Sequence, residues 1–287
     1  MSANHAVRVL FDEPGPKGRR TIWATSAVVT LLAIALVWLA VRQFAEHGQL
    51  AADRWSFFLS PGIPQFLFAG IVGTFRATLT AAVFAFPFGL VLALGRLSKN
   101  ALLAKISTGW IEFFRSIPMM LVVFAFLLAL PRYGVVLPVF WMLVVPMILV
   151  SSASTAEVFR AGIKAVEKGQ VEAAESLGLL DGQTMRLVVL PQAFRIVLPN
   201  LLTGLVSLLK DSTLGYVVSY PELMQQGRTL TSYYNYLIQT YLVIAVIYVV
   251  LNFLLTRLAS YLQTRGNRKA ASSRDPIEEE ILAAQPQ

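Results

Sequence analysis

The chain contains no cysteine and only two histidines, His5 and His47. Without thiols it can hold no disulfide, iron–sulfur cluster or cysteine-ligated zinc. Neither histidine has a second imidazole at ligand spacing, so no metal site is expected. Charge is scarce as well: 14% of the 287 residues are Asp, Glu, Lys or Arg, against about 25% in soluble domains. Nowhere is there a Gly-x4-Gly-Lys-[Ser/Thr] phosphate loop, a nucleophile elbow or a His-Glu-x-x-His helix. Such a chain has no means of hydrolysing ATP, and neither catalytic residues nor a cofactor are expected on it. Energy for any uphill transport must come from an ion gradient or another polypeptide.

Apolar surface is abundant instead. Hydrophobic residues make up 56% of the chain, more than one water-surrounded core can hide. The expectation is an all-α membrane protein with lipid around it. In a soluble protein the net charge of +8 would suit nucleic acid. In a membrane protein it reflects Lys and Arg gathered on the cytoplasmic side, and no nucleic-acid partner is expected.

Apolar runs of about 20 residues mark six candidate spans, at 22–41, 66–94, 117–130, 137–156, 196–220 and 237–258. Their ends divide the chain into a tail (1–21), a first helix with its outer loop (22–65), a core (66–258) and a second tail (259–287). The first run is longer than the apolar stretch of a signal peptide, which is about 7–15 residues, and exits through Trp38 and Arg42; an uncleaved span is preferred. Basic residues alternate between connections. Arg8, Lys17, Arg19 and Arg20 precede span one, and Arg96, Lys99, Lys105 and Arg115 follow span two. Arg160, Lys164, Lys168, Arg186 and Arg195 follow span four, and Arg257, Arg265, Arg268, Lys269 and Arg274 close the chain. The other connections hold only Arg42 and Arg54, then Arg132, then Arg228. Both termini are therefore expected in the cytoplasm. Segment 11–20, with Pro14, Gly15, Pro16 and Gly18, reads as an irregular lead-in, and the polar tail from Gly266, acidic at Asp275 and Glu278–Glu280, as disordered.

The connection 157–195 is long and mildly amphipathic. Residues 170–177 favour a short helix with Val171, Ala174 and Leu177 on one face. Gly178 suits the left-handed conformation that ends a helix. Asp181 is a candidate N-cap for a second short helix, which Pro191 is expected to stop. Small Ala173 and Ala174 would let the first helix enter a partner's groove, with Glu172 at its rim.

The run Glu172-Ala173-Ala174, three residues, Gly178, nine residues, Val188, one residue, Leu190-Pro191 resembles the EAA loop of ABC importer permeases, pattern EAA-x3-G-x9-I-x-LP, with Val188 in place of Ile. Glu157 to Ile163 is similar to the AE-x-x-RGGI segment of polar amino-acid permeases, with Ala161 replacing a glycine. Ile111 to Pro118, Gly169-Gln170, Pro191 to Arg195 and Leu209 to Leu214 also resemble that branch, and Phe11 to Pro16 is similar to actinobacterial glutamate-type permeases. The resemblance implies a type I ABC importer permease of six transmembrane helices in the bacterial cytoplasmic membrane. It also implies a coupling helix involving Gln170, Glu172, Ala173, Ala174, Leu177, Gly178, Leu190 and Pro191. The implied partners are ATP-binding subunits carrying ATP and Mg, a second permease, homologous or identical, and an extracytoplasmic substrate-binding protein. Glutamate or glutamine is the favoured cargo. An ion-coupled secondary amino-acid transporter, built from repeats with broken helices, is the alternative; no repeat is evident.

Two cations fall inside expected spans. Lys210 lies roughly 21 Å along span five and Arg76 roughly 15 Å along span two. Either would be costly in lipid, so each should face protein or a watery path. With Thr213 they are the candidates for a substrate pathway; the alternative for the two cations is an ion pair, for example of Lys210 with a carboxylate on another helix or chain.

Overall fold

The computed structural model describes residues 15–271, and every element within them is helical. The chain divides after Ser60 into two units.

The first unit is dominated by α1, Pro16–Glu46, none of whose side chains is buried. Its apolar surface runs all round, as lipid or another chain requires. The segment expected to be irregular is helical from Pro16 onward. Proline at the first helical position costs nothing, because its missing N–H would be unpaired there anyway. Residues 11–14 lie outside the described residues. Arg42 closes the helix with an i,i+4 bond to Glu46 at 2.7 Å. A short helix α2, Ala52–Ser56, and a 3₁₀ turn, Phe57–Leu59, complete the unit.

The second unit is a helix bundle: α3 Ile63–Arg96, α4 Ala101–Ser116, α5 Met119–Phe124, α6 Val139–Lys164, α7 Lys168–Ser176, α8 Asp181–Thr184, α9 Leu190–Asp211, α10 Leu223–Tyr234 and α11 Leu237–Ala271. At its centre α3 lies along α6 on small residues. Ala77, Ala81 and Ala82 meet Leu143, Val144 and Met147, with Val123 and Leu208 closing the cluster. Small side chains let backbones approach where water supplies no driving force. A second cluster joins Leu92, Ala93, Ile111, Ala156, Phe159, Val197 and Leu201 toward the basic end.

Among the described residues five helices are long and apolar enough to cross a membrane: Pro16–Glu46, Ile63–Arg96, Val139–Lys164, Asp181–Val218 and Leu237–Tyr261. The span expected at 117–130 is too short by itself and follows a sharp bend. Ala101–Ser116 and Met119–Tyr133 meet at 97° and qualify as a sixth only when taken together. The break has a local cause: Pro118 pushes Ile117 out of the helical region, to φ −101° and ψ 128°.

Pro191 does not stop the helix before it. Helical structure runs on from Asp181 to Val218, because a π-helical turn, Met185–Val189, precedes the proline. The wider turn accommodates the carbonyl that the proline ring would otherwise strike. The same device recurs at Ala125–Ala129, two residues before Pro131. Nor does Asp181 cap α8. Leu180 is the N-cap, and its N–H donates to the Gln183 side chain at 2.9 Å. Helix α11 continues to Ala271, past Gly266; the acidic run lies outside the described residues.

Candidate functional site

Helix α7 starts two residues before and ends one residue before the expected stretch, and its end follows from Gly178, which sits at φ +80°. The Gly178 N–H donates to the Glu175 carbonyl at 2.9 Å and that of Leu179 to Ala174 at 3.2 Å. This pair of bonds is the Schellman arrangement, which needs a left-handed residue where Gly178 stands. The chain therefore turns sharply.

That turn separates residues expected to share a face. Ala174 is buried, and Val171 is half-buried, packed against Ile163, Val166, Val189 and Ala193. Ala174 is thus a foundation of α7 within its own chain and is not available to a partner's groove. Leu177, at the turn, points the other way and is 83% exposed. Glu172 and Ala173 are exposed beside it, and so are Leu180 and Leu187, which the sequence reading passed over. Gln170 accepts a hydrogen bond from Gln192 at 3.2 Å, tying α7 to the first turn of α9 just beyond Leu190 and Pro191. Leu177 and Leu180, two exposed leucines three residues apart beside Glu172, form an apolar surface that wants covering.

Charged contacts anchor this corner at two places. Lys99 pairs with Asp181 across the surface. The bond raises the Lys99 ammonium above its ordinary 10.5, so the lysine's side of the contact is fully charged through neutral pH and is lost only as pH rises past that raised value. Deeper in, Glu157 accepts from Arg96 and from Arg160, the latter at 2.6 Å, while Arg96 also reaches Glu112 at 3.2 Å. One carboxylate thereby joins α3 and α6, and Arg96 extends the link to α4.

The intramembrane cations lie apart from this corner. The Arg76 guanidinium sits 4.9 Å from the centroid of Phe140, a cation–π contact, and Phe140 packs on Tyr220 at 5.6 Å. Lys210 is exposed on α9. Thr213 spends its hydroxyl on the Lys210 carbonyl, at 2.7 Å. Asn200, Thr203 and Ser207 are exposed at helical spacing below Lys210, so a polar stripe runs along this membrane helix. The 3.6-residue period in an otherwise apolar run would have disclosed it.

The sequence reading also missed α10, which the structure sets against α3 and α11. Glu222, fully buried, accepts from the N–H groups of Met224 and Gln225, both at 2.7 Å, and from the Tyr248 hydroxyl at 2.9 Å. The Tyr220 hydroxyl donates to the Gly73 carbonyl at 3.1 Å, and the Leu223 N–H to Thr74 at 3.2 Å.

Residues 85–267 match the family described as binding-protein-dependent transport system inner membrane component. The chain belongs to this family. It is a multi-pass protein of the inner membrane and a transport subunit rather than an enzyme. It is 35% identical over 222 residues to the glutamate transport system permease protein GluD of Corynebacterium glutamicum, covering 76% of this chain and 81% of that one. It is 33% identical over 213 residues to the glutamate/aspartate import permease protein GltK of Escherichia coli O157:H7, covering 71% and 95%. Among solved structures, an amino acid ABC transporter superposes with a TM-score of 0.67 at 31% identity, covering 70% of this chain and 94% of that one. The MetNI methionine ABC transporter superposes at 0.61 and 21% identity, over 72% and 98%, which speaks for the fold alone. The type I permease fold expected from the sequence is borne out; the ion-coupled secondary transporter finds no support.

Proposed function

We propose that this chain is the permease of an ATP-binding cassette importer for a polar amino acid, glutamate or glutamine, with both termini in the cytoplasm. ATP and Mg are bound by separate subunits, which dock on the surface of Glu172, Ala173, Leu177 and Leu180. A second permease, homologous or identical, completes the pore, and an extracytoplasmic binding protein delivers the solute. The relatives named for glutamate transport favour the cargo. The observation that carries the coupling role is the Schellman turn at Gly178, which leaves Leu177 exposed on a helix otherwise rooted in its own bundle. Closure of the ATPase pair would push α7. Its Val171 contact with Ile163 and Ala193 and the Glu157 link would carry that push to α6, α9 and α3. Exposed Arg76 and Lys210 and the Asn200–Thr203–Ser207 stripe suit the seam where the second permease closes the path, since facing lipid would cost several kcal/mol per charge.

The deciding experiment is ATP-dependent uptake of labelled amino acids in vesicles containing the complete transporter. Glu172→Lys and Gly178→Asp are each expected to lose uptake together with ATPase-subunit binding, and competition by unlabelled amino acids names the cargo. Full uptake in both variants would reject the coupling role.

A further inference from the structure

Helix α4 carries three distinct faces. At 100° per residue, Leu102, Ile106 and Phe113 fall within about 40° of one another, and all three are at least 59% exposed. Ser107 and Ile111, about 140–180° away, are buried, Ile111 against Leu92, Ala93, Ala156 and Phe159. Lys105 and Glu112 project from the side between, about 60–80° from the exposed apolar row. A helix packed only on protein needs two faces, one buried and one wet. The third, apolar and uncovered, requires an occupant.

Orientation and depth identify it. Since α4 stands at 97° to Met119–Tyr133, it runs along the membrane plane if that segment runs across it. The segment Met119–Tyr133 spans roughly 22 Å at 1.5 Å per residue, short of a hydrocarbon core of about 30 Å. Ser116, at its start, must therefore sit inside the interfacial layer rather than beyond it. At that depth the uncovered face meets acyl chains, and the basic side chain beside it meets phosphates. Trp110, Phe113 and Phe114 cluster on the same helix, with Phe88 of α3 against Trp110 and successive ring centroids 4.7–5.3 Å apart, as aromatics do at the interface.

We propose that α4 is an in-plane helix seated in the leaflet on the α7 side of the bundle. Leu102, Ile106 and Phe113 lie among phospholipid acyl chains, and Lys105 lies at headgroup phosphates. This is the pattern of a monotopic amphipathic helix, here built into a transmembrane chain. Arg96 binds Glu112 on α4 as well as Glu157, so lipid that holds α4 also steadies the α3–α6 junction beside α7. Only the leaflet's name, cytoplasmic, rests on the orientation proposed above.

Because the chain has no cysteine, single nitroxide labels can be placed without background. Leu102→Cys, Ile106→Cys, Phe113→Cys, Lys105→Cys, Glu112→Cys and Ile111→Cys are each labelled in the complete transporter, assembled with partner subunits whose own cysteines have been replaced, in phospholipid vesicles. Collision rates with dissolved oxygen and with a water-soluble nickel chelate are then compared. Labels at 102, 106 and 113 are expected to show an oxygen-to-nickel ratio several-fold above those at 105 and 112, with 111 shielded from both. Labels at 102, 106 and 113 shielded from both probes would mean that protein covers this face, and nickel-dominated collisions would mean water; either overturns the proposal. Loss of uptake in the coupling variants is read separately, so the two conclusions fail independently.

Discussion

Gly178 and Gly73 are glycines for different reasons, and the difference is measurable. Gly178 stands at φ +80° with open space around it, so only backbone strain opposes a side chain, about 1–2 kcal/mol for most residues. Asparagine and aspartate both tolerate that conformation, and only aspartate adds a negative charge to the docking surface; Gly178→Asn is expected to keep most of the uptake that Gly178→Asp loses. At Gly73 the obstacle is space, since an added Cβ would lie 2.4 Å from the Pro221 carbonyl oxygen. Gly73→Ala should cost about 1–3 kcal/mol, the range for overpacking, and lower the thermal midpoint of the purified protein by several degrees. Gly169→Ala, in the open on α7, should leave the midpoint unchanged or raise it slightly. An unchanged midpoint in Gly73→Ala would show that the approach of residues 221–223 to α3 is looser than described. Gly178 was legible in the sequence because a glycine after a helix-favouring run has a local meaning. Gly73 and Glu222 were not, because their partners, Pro221 and Tyr248, come from elsewhere in the chain and leave no periodic trace.

Elements were legible where their causes were local. The length of α7, the apolar spans and the turn after α7 all follow from neighbouring residues. The π-helical turn Met185–Val189 does not, and it overturned the expectation for Pro191. A π turn amounts to one extra residue in an α-helix, so removing that residue restores the α register on both sides. Deletion of Val188 alone would return the Pro191 ring to the carbonyl behind it, a conflict of about 3 kcal/mol. Deletion of Val188 combined with Pro191→Ala removes both the bulge and its cause. The double change is expected to give folded, membrane-inserted protein, whereas deletion of Val197 should not. The latter rotates Leu201, Leu208 and Leu209 away from the core they fill. Size-exclusion profiles of fluorescently tagged variants distinguish these outcomes, and equal yields for all three would reject the register argument.

At the scale of the whole molecule, exposure in one chain has to be weighed against assembly. Composition and basic-residue placement disclosed the membrane class and the number of runs, but not which exposed groups face lipid and which another subunit. Lys210 illustrates the problem. It is exposed, it stands at the end of a polar stripe on a membrane helix, and its carbonyl is already taken by Thr213. If it meets a carboxylate as the solute passes, Lys210→Met should cut the uptake rate about tenfold, the equivalent of about 1.4 kcal/mol in the barrier. Binding of the ATPase subunits and the yield of protein in the membrane should stay at wild-type levels. Glu172→Lys should do the reverse, losing the ATPase subunits. A Lys210 that serves only to pair with another subunit would instead lower the yield or the assembly of the complex, with the remaining complexes transporting at the normal rate. Uptake normalised to assembled complex therefore separates a group on the path from one that holds the path together.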